Sequence, residues 1–193
     1  RLIFALQPSP AESATRRMAK IDLRRFPQSE RIVKGSVDDD EMYYTNSIHL
    51  RADAPVDLIT RIRKQAKFHS LIESGAIIHA FVGEERPSPA SVMALVRKTF
   101  EKTQTAQLTV SPEFTICNSC NRVTPRLSER CDYCESPDIT AITRIVGYYS
   151  RVNNWNKSKL GELKDRHRGN YSVAGMAAEA QKKRTPEAAP VQR

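Results

Sequence analysis

Short apolar runs alternate with amphipathic segments over residues 1–111 of the chain. Each run is brief and rich in β-branched or aromatic residues, a pattern typical of buried strands. The four runs are LIFALQ at 2–7, MYYTNSIHL at 42–50, AIIHAFV at 76–82 and AQLTV at 106–110. Four strands joined by three helices predict a parallel sheet, or about half of a barrel with its helices outside.

The first intervening segment, SPAESATRRMAKIDLRRF, carries a complete helix-start signal. Ser9 is the predicted N-cap, Pro10 takes the first helical position, and Glu12 completes a capping box. The same stretch joins a strand to a helix N-terminus, where backbone N–H groups and the helix dipole can hold a phosphate. Glu12 places a carboxylate at that end of the helix, so the pattern alone favours an ordinary helix start over a phosphate site.

The second and third intervening segments are also predicted helices. Asp53 is expected to cap the second, which would begin near Pro55 and end at Gly75. Its apolar face would consist of Leu58, Ile59, Ile62 and Ala66. The third, SPASVMALVRKTFEKT, repeats the Ser-Pro start. Its predicted apolar stripe, at helical spacing, consists of Val92, Leu95, Val96 and Phe100.

The chain changes character at Pro112. Residues 114–140 are polar and contain all four cysteines, 141–149 return to a strand pattern, and KSKLGELKDR at 157–166 is helix-like. A polar tail that ends in RTPEAAPVQR follows, and we expect it to be disordered.

The cysteines form two Cys-x-x-Cys pairs separated by ten residues. This spacing predicts two knuckles that hold zinc through four thiolates, those of Cys117, Cys120, Cys131 and Cys134. Four protein ligands leave no open coordination position, which indicates a structural rather than a catalytic zinc. The alternative is a redox dithiol, which requires only one pair and a thioredoxin-like unit around it.

A net charge of +9 over 193 residues makes a nucleic-acid partner worth considering. The basic residues are scattered, however, and much of the excess lies after Asn156, which favours a solvated surface. No apolar run approaches the ~20 residues that span a bilayer, and no secretory leader is evident, so we expect a cytoplasmic protein. The start at Arg1, directly before LIFAL, suggests a C-terminal piece of a longer protein.

Gly147 interrupts the β-branched and aromatic run TRIVGYYSRV. A glycine should weaken a strand by about 0.5–1 kcal/mol relative to alanine, so another property must require it. Trp155, the only tryptophan, is expected to anchor the neighbouring loop by packing, with its indole N–H on a nearby acceptor. His69 and His79 are expected to be packed core residues, and none of the four histidines is assigned to a metal.

The paired Cys-x-x-Cys motif, followed by TRIVGYYSRVNNWN and KSKLGELKDRH, resembles the C-terminus of the anaerobic, class III ribonucleotide reductases. Members of that family end in a zinc ribbon, an Arg-Val-x-Gly-Tyr type loop, an Asn-Trp-Asn motif and a basic helix. Here the loop corresponds to residues 144–148, with Ile145 as a mild departure, and the Asn-Trp-Asn motif to 154–156. Upstream, PSPAESA resembles the family's substrate-phosphate loop, and YYTNSIH resembles a strand of its catalytic barrel.

The resemblance implies an α/β fold, namely the C-terminal half of a ten-stranded α/β barrel followed by a small zinc ribbon and a glycyl radical loop. The predicted domains are the barrel half at 1–111, the zinc ribbon at 112–140, the radical loop and C-terminal helix at 141–170, and a disordered tail at 171–193. The resemblance also implies that substrate phosphates bind at Pro8, Ser9, Pro10, Ala11, Glu12 and Ser13.

Radical chemistry stored on the backbone is a further implication of the resemblance. A partner activase of the radical-SAM type, carrying an iron–sulfur cluster, uses S-adenosylmethionine to remove a hydrogen from the Cα of Gly147. Because no side chain forces it out of plane, a glycine Cα radical can flatten and delocalise over its flanking peptide groups. The radical then passes to a cysteine thiol, whose thiyl form takes the 3′ hydrogen of a ribonucleoside triphosphate. Loss of the 2′ hydroxyl follows, and the products are deoxyribonucleotides for DNA synthesis.

With all four cysteines assigned to zinc, the chain has no candidate for the thiyl. We therefore expect it to be inactive alone and to act within a full enzyme, a homodimer that binds neither nucleic acid nor membrane directly. One alternative is a spare-part subunit that replaces an oxygen-cleaved glycyl loop, although such a subunit needs little of residues 1–111. Another is a zinc-ribbon nucleic-acid-binding protein, which accounts for the charge and the cysteines but not for Gly147.

Overall fold

The computed structural model describes residues 12–45, 49–73, 76–83, 85–145, 147–174 and 176, with Glu12 and Ser13 described by their backbone alone. The α-helices are α1 (Glu12–Arg25), α2 (Leu58–His69), α3 (Pro89–Lys102) and α4 (Lys157–Arg168). The strands are β1 (Ile77–Gly83), β2 (Gln107–Pro112), β3 (Phe114–Cys117), β4 (Val123–Thr124), β5 (Ile139–Arg144) and β6 (Tyr149–Arg151). No helix within these ranges is both long and apolar enough to cross a membrane.

The β1–α3–β2 unit forms as predicted, with its two strands parallel and in register from Ile77 opposite Gln107. Ser88 caps α3 by accepting a hydrogen bond from the backbone N–H of Ser91 at 3.1 Å. The core around this unit is closed by α2 and by the segment after α4. Its fully buried members include Leu58, Ile62, Ile78, Ala80, Leu95 and Val173.

The apolar stripe predicted for α3 is only partly correct. Leu95 is fully buried, but Val96 and Phe100 are 43% and 50% exposed. The buried side chains of this helix are Ser91, Ala94, Leu95 and Thr99. Two polar residues, Ser91 and Thr99, therefore share the buried face with Ala94 and Leu95, while Val96 and Phe100 lie outside it.

The strand predicted at 42–50 is wrong for the residues that the structure describes. Tyr43 makes only an isolated antiparallel bridge, with Lys34. Its hydroxyl donates instead to Asp165 of α4 at 2.7 Å, and that of Tyr44 donates to Asp22 of α1 at 2.7 Å. The two tyrosines that suggested a strand are therefore held by hydrogen bonds to helices, with Tyr43 buried and Tyr44 partly buried.

Helix α2 begins later than expected. Its N-cap is Asp57, which accepts from the backbone N–H of Thr60 at 2.9 Å, whereas Asp53 pairs with Arg51. The helix ends at His69, and Gly75 lies outside the described residues. The proposed strand at 2–7, with Ser9 and Pro10, also lies outside them. The α/β class is confirmed, and the barrel half stays a prediction.

The second sheet is antiparallel, in the order β4-β3-β5-β6. It runs across the boundary predicted at residue 140, because β5 pairs with β3 on one side and with β6 on the other. The cysteine segment and the Gly147 segment therefore belong to one structural unit. Ordered packing also continues beyond residue 170, since Tyr171, Val173 and Met176 are buried in the main core.

Candidate functional site

Two turns of the same design bring the four cysteines together. The Asn121 N–H donates to the carbonyl of Cys117 at 3.0 Å, and the Glu135 N–H donates to that of Cys131, also at 3.0 Å. Asn121 and Glu135 both adopt left-handed backbone conformations, with φ of 57° and 58°. A second hydrogen bond closes each turn at 2.9 Å. It runs from the N–H of Cys117 to the carbonyl of Arg122, and from the N–H of Cys131 to that of Ser136. This repetition identifies two equivalent knuckles.

The sulfur positions fit one tetrahedral metal ion. All four Sγ atoms lie within 4.8 Å of one another. The Cys117–Cys134 and Cys120–Cys131 sulfur pairs are each 3.6 Å apart. Four sulfurs placed ~2.3 Å from a central zinc would be about 3.8 Å apart, so little movement would be needed to bind one. The backbone N–H of Cys120, 3.5 Å from the Cys117 sulfur, helps to lower the pKa of that thiol.

Contacts between the knuckles connect the cysteine cluster to strand β5. Asn118 donates to Asp138 at 2.7 Å, and the hydroxyls of Ser119 and Ser136 are 2.8 Å apart. Cys117, the last residue of β3, pairs with Ile139, the first residue of β5. A metal bound here would therefore fix the start of the strand whose other end leads to Gly147.

Gly147 lies in the turn of the β5–β6 hairpin. Arg144 and Tyr149 form the last strand pair, and the N–H of Ile145 donates to the carbonyl of Tyr148 at 3.0 Å. Gly147 is exposed, and its φ is outside the left-handed region. Apart from its two chain neighbours, a Cβ added at this position would meet no described atom within 4 Å. Neither backbone geometry nor close packing within the described chain requires a glycine there.

An apolar contact below the turn holds its first residue. Ile145 packs in a small cluster with Trp155 and Leu163. The prediction that Trp155 anchors the loop by packing is thereby confirmed. The expected partner for its indole is wrong for the described part of the chain, where the buried Nε1 has no hydrogen-bond acceptor. The ring instead faces the guanidinium of Arg166, 5.5 Å from its centroid.

A buried ion network on α4 lies against the same turn. Lys159 and Arg166, both only 3% exposed, pair with Glu162 from opposite sides at 2.6 Å each. Although burial raises the pKa of Glu162, the two cations outweigh it and lower that pKa to about 2. The prediction that the basic residues after Asn156 form a solvated surface is therefore wrong for these two. The four-residue spacing from Glu162 to Arg166 indicates an ion pair on one helix face, but not that the pair is buried.

A cavity of ≈ 50 Å³ lies between this network and β1. Nδ1 of His49 accepts from the side-chain amide of Gln65 at 2.9 Å, while neither ring nitrogen of His79 has a partner in the described residues. Burial lowers the pKa of His49 to about 4 and that of His79 to about 3, so both are neutral at pH 7. His69 and His79 are buried, as predicted, at 3% and 8% exposure.

The predicted phosphate loop cannot be placed from the structure. Pro8, Ser9, Pro10 and Ala11 lie outside the described residues, and Glu12 and Ser13 are described only as the first backbone residues of α1.

A site residue that the sequence did not suggest is Glu113, which is buried after β2 and lies 2.9 Å from the ring of His167. The sequence could have indicated Glu113 as a candidate, because it is a single acidic residue between two apolar strand segments.

Comparisons with known proteins all find anaerobic ribonucleotide reductases. A family model described as anaerobic ribonucleoside-triphosphate reductase matches residues 1–168. A protein of that description from Enterobacteria phage T4 is 22% identical over 157 residues, covering 70% of this chain and 25% of the relative.

Two solved structures resemble the chain. One, titled anaerobic ribonucleotide reductase, has a TM-score of 0.63 at 22% identity, covering 83% of this chain and 24% of its own. The other, from Thermotoga maritima in complex with dATP and CTP, has a TM-score of 0.58 at 21% identity, covering 85% and 24%. The chain thus spans about a quarter of the length of these relatives.

Proposed function

The chain belongs to the anaerobic ribonucleoside-triphosphate reductase family, and we propose that it forms the radical-storing part of such an enzyme, with Gly147 as the radical residue. The observation that carries this proposal is the unconstrained setting of Gly147. Its backbone conformation is open to other residues, and a Cβ would meet open space. A glycine without a conformational reason is explained by chemistry at its Cα.

The property that glycine alone offers is a Cα radical that can become planar. Its unpaired electron then spreads over the preceding amide nitrogen and the following carbonyl, since no side chain opposes the planar geometry. A hydrogen atom leaves the Cα of Gly147 to a radical that the partner activase generates from S-adenosylmethionine with its iron–sulfur cluster. The exposed position of Gly147 at a hairpin tip suits access by another protein.

Reduction itself requires a thiol from outside residues 1–193. All four cysteines of the chain lie in the metal-type cluster, so none is free to form the thiyl radical. In the full enzyme the thiyl takes the 3′ hydrogen of a ribonucleoside triphosphate, the 2′ hydroxyl takes up a proton and leaves as water, and an external reductant supplies the two electrons of the reduction. Residues Pro8 to Ser13 would hold the substrate phosphates. This chain alone would be inactive, and its assembly as a homodimer belongs to the same proposal.

Zinc is the metal that best suits the four thiolates. Its tetrahedral preference and sulfur ligands match the two knuckles, and the closed ligand set gives it a structural role. Cys117, Cys120, Cys131 and Cys134 would hold the ion and so fix β3 against β5. Zinc held there would make the hairpin that carries Gly147 more rigid.

Anaerobic incubation with a family activase, S-adenosylmethionine and a reductant tests the proposal by electron paramagnetic resonance. We expect a doublet from the single Cα hydrogen that remains on Gly147, and no doublet in Gly147→Ala. The assay should use both the 193-residue chain and the natural protein that carries it. Absence of a doublet from both, or its persistence in Gly147→Ala, would refute the role of Gly147.

A further inference from the structure

We propose that Arg144 is the positioning residue for the Gly147 radical, an inference that rests on the proposed function of Gly147. The Nη1 of Arg144 donates a hydrogen bond to the carbonyl oxygen of Gly147 at 2.9 Å. That carbonyl is one of the two groups over which a Cα radical at Gly147 would delocalise. Arg144 therefore reaches a backbone atom of the turn where a hydrogen-bond donor changes the properties of the radical.

The Arg144 guanidinium is held in place from the opposite strand of the hairpin. It lies over the ring of Tyr149, 4.9 Å from the centroid, and Tyr149 is also its partner in the strand register. The ring of Tyr149 packs in turn on Phe114 of β3, at 5.9 Å between centroids. The buried Nε of Arg144 has no partner among the described residues, so the Gly147 carbonyl is the guanidinium's defined acceptor.

Arg166 fixes the backbone from which Arg144 extends. Its Nη1 donates to the carbonyl of Arg144 at 2.7 Å, and its Nη2 donates to that of Ile145 at 2.9 Å. The guanidinium is itself held by Glu162 and lies over Phe81 of β1, 4.0 Å from the ring centroid. A rigid fork on two successive carbonyls leaves little freedom for the start of the turn. The two arginines thus connect the buried α4 network to Gly147.

The consequence for the radical follows from its electronic structure. The Cα–H bond of Gly147 breaks homolytically, the hydrogen atom goes to the acceptor radical supplied by the activase, and one unpaired electron stays on Cα. A cationic donor on the adjacent carbonyl draws spin density toward that group and holds the peptide in the plane that delocalisation requires. Arg144 keeps all its protons throughout. Without it, the peptide can rotate and the radical becomes more localised and more reactive.

Paramagnetic resonance of Arg144→Gln in the natural protein gives the first test. We expect a changed doublet splitting and a radical that decays at least about tenfold faster, the factor that corresponds to one charge-assisted hydrogen bond. Arg144→Lys, which keeps the charge and a donor, should recover part of the lifetime. Arg151→Gln, the same charge change at an exposed site of the hairpin, should leave splitting and decay unchanged.

A second measurement needs no radical. The carbonyl ¹³C resonance of Gly147, identified by its loss in Gly147→Ala, should move in Arg144→Gln while those of the other glycines stay in place. An unchanged doublet splitting and decay rate in Arg144→Gln would overturn the inference, whether or not the ¹³C resonance moves. If the parent forms no radical, a moved resonance upholds the contact and rejects the radical role of Gly147. An unmoved resonance in that case rejects both.

Discussion

The carbonyl oxygen of Ile145 lies 2.9 Å from Nη2 of Arg166, a buried helix side chain that is also paired with Glu162. The turn that carries Gly147 is therefore attached to α4 by a charged group that cannot easily be solvated. Removing Arg166 would leave Glu162 with one cation instead of two and would leave two backbone carbonyls without their donor, which is far more costly than losing an exposed pair.

Arg166→Met should accordingly lower the free energy of unfolding by about 3–5 kcal/mol. The matched control is Lys164→Met, on the same helix as Arg166. It removes an exposed ion pair with Glu41 and should lower the free energy of unfolding by no more than about 1 kcal/mol. Urea unfolding of the zinc-loaded chain measures both. Equal effects of the two substitutions would mean that the Arg166 network does not stabilise the fold as described.

Gly147→Ala should fold normally. Alanine at a compatible backbone position stabilises by about 0.4–1 kcal/mol, so the midpoint of urea unfolding should stay or rise slightly. Gly161→Ala is the contrasting variant, because its Cβ would lie 2.6 Å from the carbonyl oxygen of Glu41. Overpacking there should cost about 1–3 kcal/mol. If Gly147→Ala were strongly destabilised, the fold itself would require glycine at this position. The argument that radical chemistry requires it would then be lost.

Zinc should be bound in a one-to-one ratio with the chain and lost in Cys120→Ser. Since metal binding is coupled to folding, chelation should raise amide hydrogen exchange in residues 114–144 far more than in β1. Ser119→Ala, within the same knuckle, should keep the metal. Elemental analysis and exchange mass spectrometry measure these effects. Full zinc retention in Cys120→Ser would contradict a four-thiolate site.

Acid should destabilise the chain through its buried histidines. Between pH 6.5 and about 4 the unfolded chain protonates His79 but the folded chain does not, because burial lowers the folded pKa to about 3. The full stability is thus present above pH 6.5 and declines as the pH falls. Between pH 7 and 5 the free energy of unfolding should fall by about 2 kcal/mol less in His79→Phe than in the parent chain. An identical pH dependence in parent and variant, measured by urea unfolding, would contradict this.

The sequence predicted what depends on local spacing and missed what depends on distant partners. The four-cysteine cluster and the β1–α3–β2 unit follow from motif spacing, apolar runs and a Ser-Pro helix start. The burial of Lys159 and Arg166 could not be inferred in the same way. One partner, Glu162, is on the same helix, but the carbonyls bound by Arg166 come from a turn about twenty residues earlier in the chain.

The strand expected at 42–50 failed for a similar reason. Tyr43 and Tyr44 have the composition of a strand, but their positions are set by carboxylates far from them in the chain, those of Asp165 and Asp22. Propensity describes how a side chain suits a sheet, and it carries no information about a partner that a helix presents. The exposure of Val96 and Phe100 on α3 has a related cause. The helical period shows which residues share a face, but it does not show which part of that face the rest of the protein covers.

The most direct test of Gly147 as the radical residue is the site at which oxygen cleaves the activated chain. After anaerobic activation and exposure to air, mass spectrometry should find a cut at Gly147 and an intact chain in Gly147→Ala. Cleavage should also require S-adenosylmethionine and the activase. A chain that shows the doublet but is cut at another glycine would contradict the account, as would cleavage that persists in Gly147→Ala.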